Sequence, residues 1–214
     1  MTVWCQILVL LCCMLNLVES STPSQVLQRN KYNNSFRLAR STRTRIQLLQ
    51  KKYKEEKWWH KHFEDRGWPV NGLPSLSTDF YSWLNLTDWD RLHAAFRDLQ
   101  VYWTRLERKR KELEMEEKEK LAGQAARPTL SERIMHIQLD LRDLMSKISI
   151  QMRHMRSSWT KPTSLPHLDP ETSPRREWDS RPEGYIILRE LDLYLTKLAR
   201  DFLLLASKPL MTRQ

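Results

Sequence analysis

The chain has 214 residues and a formal charge of +10 at pH 7, and it contains only four glycines. The scarcity of glycine argues against a turn-rich β protein. All three cysteines, Cys5, Cys12 and Cys13, lie near the amino terminus. Residues 21–214 therefore contain no disulfide, thiolate metal site or cysteine nucleophile, and a hydrophobic core must hold them together.

Residues 1–20 have the features of a secretory signal peptide. The run from Ile7 to Leu17 is nearly all apolar but too short to span a bilayer, and Val18-Glu19-Ser20 offers permissive residues for cleavage. Because the charged segment before this run is weak, a signal anchor is the alternative. We predict a secreted, extracellular protein whose mature domain covers residues 21–214 and has no membrane span.

Apolar residues recur at steps of three and four along four segments, which predicts an all-α fold with helices at about 36–62, 88–120, 130–159 and 181–208. Residues 21–34 are polar and predicted to be frayed. Capping boxes are predicted at Thr129 with Glu132 and at Ser180 with Glu183. The last helix is expected to be the most buried, through Ile187, Leu188, Leu191, Tyr194, Leu195, Leu198, Phe202, Leu203, Leu204 and Leu205.

The second predicted helix has a clear apolar seam up to Leu106, with Trp103 in the core. Beyond Leu106, the basic run R-K-R-K at 108–111 and the acidic run at 114–120 are expected to pair, so that this end projects into solvent. The basic run also resembles a polyanion-binding patch. For a secreted protein, the partners of such a patch would be heparan-type glycans and not nucleic acid.

Loop lengths restrict the topology. The short connection between the second and third predicted helices, of about eight residues, cannot run back along a helix of about 40 Å, so these helices are antiparallel. The first and third connections, of about 20 residues, are long enough for crossovers. An up-up-down-down bundle, typical of long-chain helical cytokines, is permitted but not forced.

Three segments resemble the interleukin-6/interleukin-12 superfamily of long-chain four-helix cytokines, and within it alpha subunits of the interleukin-27 type. They are F-Y-S-W-L-N-L-T-D-W-D-R-L at 80–92, I-Q-L-D-L-R-D-L at 137–144, and W-D-S-R-P-E-G-Y followed by L-D-L-Y-L-T-K-L-A-R-D-F-L-L-L-A-S-K. The resemblance implies a subunit that pairs noncovalently with a soluble receptor-like beta subunit. The pair would join a specific receptor to the shared interleukin-6-family signalling receptor, activate JAK–STAT signalling and regulate T-cell and innate immune responses.

The resemblance also implies contact residues. The beta-subunit contact maps onto Trp83, with Tyr81 and Leu84 beside it, and the shared-receptor contact maps onto Trp178, with Asp179 next to it. The specific receptor would lie against the first and third helices. From position alone, either tryptophan could instead cover the bundle.

The loop before the last helix departs from the family pattern, because it is proline-rich and carries Arg175 and Arg176 where the family has an acidic run. A stand-alone cytokine of the ciliary-neurotrophic or cardiotrophin type is therefore an alternative, and a basic helical polyanion-binding protein is a further one.

Other motifs contribute less. Asn33 and Asn85 begin N-glycosylation sequons. His60 and His62 are two residues apart and would point to different faces of a helix, so we predict no metal site. With no glycine-rich phosphate loop and no histidine–carboxylate arrangement recognisable from spacing, we expect neither an enzyme nor a cofactor.

Overall fold

The computed structural model describes residues 23–57, 72–76, 79–120, 128–156, 158–160 and 177–208, except for the side chains of 57, 119, 120 and 177–181. The described residues form helices and no strand, which confirms the predicted all-α class for this part of the chain. The predicted signal peptide, His60, His62 and the proline-rich loop lie outside it. The helices are α1 (Pro23–Lys57), α2 (Phe80–Asn85), α3 (Asp88–Lys120), α4 (Leu130–Met155) and α5 (Glu177–Ser207).

Helix α1 begins at Pro23 and not at about residue 36, so the prediction of a frayed segment is wrong for residues 23–34. Tyr32 and Ser35 are both buried, and Gln151 of α4 donates a hydrogen bond from Nε2 to Ser35 Oγ at 3.2 Å. Tertiary contacts of this kind stabilise helical turns that lack an apolar periodicity of their own.

Helix α5 begins at Glu177, so the predicted capping box at Ser180 is wrong: Ser180 lies inside the helix. Glu183 is 3% exposed and accepts a hydrogen bond from Arg108 of α3. Pro182 lies within the helix and lacks the amide that would donate to the carbonyl four residues earlier.

The other predicted capping box is confirmed at the start of α4. The backbone amide of Glu132 donates to Thr129 Oγ1 at 3.3 Å, and the amide of Thr129 donates to Glu132 Oε2 at 3.0 Å. Each side chain thereby satisfies a backbone amide that has no partner within the helix.

The predicted α5 seam is confirmed, with one exception. Its six principal positions are at most 4% exposed, and Leu188 and Tyr194 are buried beside them. Leu203 is 46% exposed, so its predicted place in the apolar stripe is wrong, and Leu204 is only partly buried. The principal positions are Ile187, Leu191, Leu195, Leu198, Phe202 and Leu205.

The prediction that the far end of α3 projects into solvent is wrong, because this end packs against the neighbouring helices. Leu113 is fully buried and Lys109 is 2% exposed. Ser131 of α4 donates from its hydroxyl to Glu117 Oε2 at 2.5 Å, which holds this end of α3 against the start of α4. Trp103 is only partly buried, and the neighbouring Tyr102 takes the core position.

Helix α1 runs antiparallel to α5 and to α4. Towards α5, Arg43 Nε lies 2.8 Å from Asp192 Oδ1, whereas later in α1 the Lys54 ammonium lies 4.4 Å from the ring centroid of Tyr185, which comes earlier in α5. The same reversal holds towards α4, where the hydrogen-bonded pairs are Ser35–Gln151 and Thr42–Asp140.

Helix α3 also runs antiparallel to its neighbours. On the α5 side, Arg91 pairs with Asp201 near the start of α3, and Arg108 pairs with Glu183 further along. On the α4 side, early α4 residues meet the late part of α3, as in the Ser131–Glu117 contact. No helix in the described part of the chain is long and apolar enough to cross a membrane.

Gly184 marks the closest approach between α5 and its neighbours. A β-carbon there would overlap the Tyr53 hydroxyl, 2.7 Å from Tyr53 Cζ, and would lie 3.0 Å from Lys109 Cε. Alanine usually stabilises a helix interior relative to glycine by about 0.5–1 kcal/mol. Because overpacking costs about 1–3 kcal/mol, we expect Gly184→Ala to lower the free energy of unfolding, measured by urea denaturation.

The matched control is the same substitution in a Tyr53→Phe background, which removes the oxygen nearest to the added methyl group. The destabilisation should be smaller in that background. A stabilising effect of Gly184→Ala in both backgrounds would show that α5 does not approach Tyr53 this closely.

Candidate partner-binding surface

The short helix α2 lies on the bundle without a buried residue of its own. Asp79 caps its amino terminus, where the carboxylate accepts the backbone amide of Ser82 at 3.1 Å. A single turn and a half of helix is unstable alone. Contacts to the long helices must therefore hold α2 in place.

Trp83 provides these contacts. Its indole Nε1 donates to Asp201 Oδ1 of α5 at 2.7 Å, and its backbone carbonyl accepts from Arg91 Nη2 of α3 at 2.6 Å. The Arg91 guanidinium also lies 4.9 Å from the centroid of the Trp83 ring. Trp83 thus connects α2 to two long helices at once.

Asp201 accepts hydrogen bonds from both Trp83 and Arg91, and we call these three residues the Trp83 cluster. Its side chain is 3% exposed and that of Arg91 is 1% exposed, and Arg91 Nη1 lies 2.5 Å from Asp201 Oδ1. Lys197 of α5 adds a longer contact, with its ammonium 3.3 Å from Asp201 Oδ2. A buried carboxylate needs such paired donors, because an unpaired charge in the interior is strongly unfavourable.

A second polar contact joins α3 and α5. The Tyr194 hydroxyl donates to Asp98 Oδ2 at 2.9 Å. Burial raises the pKa of Asp98, although this hydrogen bond and the Lys197 charge lower it. Burial and the Asp98 charge raise the pKa of Tyr194 well above its ordinary value, so the tyrosine keeps its proton and remains the donor.

The outer side of α2 is apolar and open to solvent. Phe80, Tyr81 and Leu84 are 61%, 72% and 46% exposed, and we call these three residues the α2 surface. The Phe80 ring packs edge-on against Tyr81, with centroids 5.7 Å apart, and lies 5.9 Å from the Trp83 ring. Exposed aromatic residues held on a rigid support are typical anchors of protein–protein interfaces.

A groove of about 580 Å³ lies beside this surface and is lined by residues of both α2 and α5. Apolar side chains form most of its lining, and Lys197 and Arg200 bring positive charge to it. The α2 surface and the groove together offer a partner an apolar patch with cationic groups at one side. The lining residues are Leu76, Phe80, Trp83, Leu193, Thr196, Lys197 and Arg200.

The structure brings three of the predicted contact residues together, since Tyr81 and Leu84 flank the anchored Trp83. Trp178 and Asp179 lie within the first turn of α5. The prediction of a helix that begins at about residue 181, after Trp178, is therefore wrong. Their side chains fall outside the described part of the structure.

Sequence reasoning missed Arg91 and Asp201 as members of this cluster. Phe80 begins the segment at 80–92 but is not among the contact residues that the resemblance implies. Both residues lie in segments that carry the resemblance, but the Arg91–Asp201 pair joins positions 110 residues apart, and nothing in the sequence indicates that they pair. Only the packing of α3 on α5 brings them together.

The two sequons lie in different surroundings. Asn85 is the last residue of α2 and is exposed beside Leu84. Asn33 lies within α1 and is half-buried, and Ser35 of the same sequon is buried, so the prediction of a frayed segment is wrong at this sequon. Glycosylation at both sites stays a prediction.

The R-K-R-K run at 108–111 is not a free basic patch, because each of its side chains pairs with a carboxylate. Arg108 pairs with Glu183, Lys109 with Glu112 at 2.9 Å, Arg110 with Glu107 at 2.7 Å and Lys111 with Glu107 at 3.5 Å. A polyanion would have to displace these partners to bind here.

Within the described residues, no histidine, cysteine, aspartate and glutamate side chains cluster in a way that could hold a metal ion. No family model and no curated protein matches this chain.

Proposed function

We propose that this chain is a secreted cytokine subunit of the interleukin-27 alpha type, within the interleukin-6/interleukin-12 superfamily. It pairs noncovalently with a soluble receptor-like beta subunit. The pair then joins a specific receptor to the shared interleukin-6-family receptor and activates JAK–STAT signalling in T-cell and innate responses. The observation that carries this proposal is the α2 surface, an exposed aromatic cluster on a helix anchored by Trp83.

We further propose that the four long helices form the up-up-down-down bundle of this superfamily. In support, α1 runs antiparallel to α4 and α5, and so does α3. The connections from 58 to 87 and from 156 to 176 are long enough to run back along the bundle. These two connections would be the crossovers that the topology requires.

The α2 surface suits a noncovalent subunit contact. Residues 21–214 contain no cysteine for an intersubunit disulfide, so pairing has to use side-chain packing. Phe80 and Tyr81 offer the large, rigid rings on which binding energy usually concentrates. Lys197 and Arg200 at the groove favour a partner segment with acidic side chains.

Trp178 and Asp179 are assigned to the shared receptor, and α1 and α4 to the specific receptor. Both assignments rest on the resemblance alone. Trp178→Ala should therefore leave pairing with the beta subunit intact and reduce signalling by the assembled pair, measured as STAT phosphorylation in responsive cells. Full signalling by this variant would remove the assignment.

The test of pairing is co-expression of the full chain with the candidate beta subunit in a secreting cell line, followed by co-purification from the medium. We expect Phe80→Ala and Tyr81→Ala each to weaken the complex about 30-fold, since truncating an anchor residue costs about 2 kcal/mol or more. The physical reason is that each ring supplies apolar area that only the partner covers.

Met115→Ala is the matched control. Met115 is 61% exposed, as Phe80 is, but it lies on α3 about 36 Å along the helix from Arg91 at 1.5 Å per residue. Its variant should pair normally. Pairing that survives both ring truncations would rule out the α2 surface, and secretion with signalling in the absence of the beta subunit would favour the stand-alone cytokine.

A further inference from the structure

Positive charge is concentrated in one helix. α1 contains ten lysines and arginines but only two glutamates, Glu55 and Glu56. By contrast, α3 contains nine basic and nine acidic residues, and α5 contains four basic and six acidic residues. The net positive charge of the described helices therefore comes almost wholly from α1.

Some of these cations serve the packing of the bundle. Arg43 pairs with Asp192 of α5, and Arg45 Nη1 lies 2.5 Å from Asp140 Oδ2 of α4. Lys54 lies over the Tyr185 ring of α5. These side chains lie on the two edges of α1 that meet its neighbours, and each charge already contacts a carboxylate or an aromatic ring of another helix.

Four other cations point away from the bundle. Arg29, Arg37, Arg40 and Lys51 are exposed, and no described carboxylate forms an ion pair with any of them. They lie on the side of α1 opposite to its buried residues, which include Ala39, Ile46 and Leu49. We call these four residues the α1 basic face.

The α1 basic face is long and narrow. From Arg29 to Lys51 it extends about 33 Å along the helix at 1.5 Å per residue. A linear polyanion lying along α1 could contact every one of these cations, whereas a compact anion could contact only one or two of them. The shape and the charge together therefore favour an extended anionic chain.

We propose that the α1 basic face binds a sulfated glycosaminoglycan of the heparan type. Arginine predominates on this face, and its planar guanidinium can donate two parallel hydrogen bonds to a tetrahedral oxyanion such as sulfate. The face has no exposed aromatic ring on which a nucleic-acid base could stack, because Phe36 is half-buried and Arg40 lies over its ring at 5.6 Å.

The experiment measures binding of the full chain to a heparin oligosaccharide as a function of salt concentration. We expect the Arg37→Gln/Arg40→Gln double variant to raise Kd at least about 10-fold at 0.15 M salt. The slope of log K against log salt should fall by about 2, because each lost contact no longer releases a counterion. Circular dichroism checks that each variant is folded.

The matched control is Lys111→Gln/Lys118→Gln, which removes the same charge from exposed positions of α3. It should leave the salt slope unchanged. Equal losses in the two double variants would overturn the proposal, because they would show a response to net charge alone. Desulfated heparin or duplex DNA binding as tightly as heparin would also overturn it.

Asn33 lies on the same side of α1, between Arg29 and Arg37. The measurement is therefore repeated with Asn33→Gln. Similar affinity with and without the sequon supports a site that is open in the native protein. Binding that appears only in Asn33→Gln would place the cations beneath the protein's own glycan and would overturn the proposal.

Discussion

Asp201→Ala is expected to lower the free energy of unfolding by about 3–5 kcal/mol, measured by urea denaturation followed by circular dichroism. The substitution leaves the Arg91 guanidinium, whose side chain is 1% exposed, without its carboxylate. It also removes the acceptor of the Trp83 indole N–H. Breaking a buried ion pair from one side is costly because the remaining charge stays in the interior without a partner.

Two further variants test this physical reason. Asp192→Ala should cost no more than about 1 kcal/mol, because its partner Arg43 is 41% exposed and water can replace the carboxylate. Removing both buried charges with Asp201→Ala/Arg91→Met should cost less than Asp201→Ala alone. A loss at Asp201 no larger than that at Asp192 would contradict the buried pair.

Asp201→Ala should also weaken pairing with the beta subunit, because α2 loses one of the contacts that hold Trp83. In this respect Asp201 is a positioning residue, since it lies below the α2 surface and does not form part of it. Normal pairing by a folded Asp201→Ala protein would show that α2 keeps its place without this carboxylate.

Leu195→Ala should lower the free energy of unfolding by about 2–5 kcal/mol, whereas Leu203→Ala should change it by about 0.5 kcal/mol or less. Both residues are leucines of α5, but Leu195 is fully buried and Leu203 is 46% exposed. Truncating Leu195 removes buried methyl groups and leaves a cavity among α5 and its neighbours. Truncating Leu203 removes a side chain that is already about half exposed to water and leaves no enclosed cavity.

Thermal and urea unfolding of the two variants, made in the same background, give the comparison directly. Similar losses at both positions would mean that the exposed edge of α5 is covered in solution, for example by self-association. Sedimentation of the wild-type chain at the concentrations used would detect such self-association. Similar losses in a monomeric chain would contradict the exposed position of Leu203.

The sequence alone determined the all-helical class and most of the core. Apolar residues recur every three or four positions along α4 and α5, and a helix places such residues on one face whatever lies against it. The Thr129–Glu132 capping box was also predictable, because its donors and acceptors are within one turn of each other. These features depend on neighbours in the chain.

The resemblance in sequence is enough to single out Trp83, Tyr81 and Leu84. It cannot supply the way Trp83 is held, because Arg91 and Asp201 come from helices far apart in the chain. Both lie in the segments that carry the resemblance, but nothing in the sequence indicates that they contact each other or Trp83. The role of Trp83 as the anchor of α2 emerges only from the packing of three helices.

The tertiary structure decided where the helices begin and which charged side chains are buried or paired between helices. α1 is ordered before residue 36 where Tyr32 is buried and Ser35 contacts Gln151 of α4. Lys109 is buried where α5 approaches it at Gly184.

The sequence predicts that the R-K-R-K run pairs with the acidic residues after it, and Arg110 does pair with Glu114, but the partner of Arg108 is Glu183 of α5. The scattered arginines of α1, by contrast, share one open face. Ion pairs within α3 follow from its own sequence, but burial and ion pairs between helices depend on which helices become neighbours, and only the packed chain determines that.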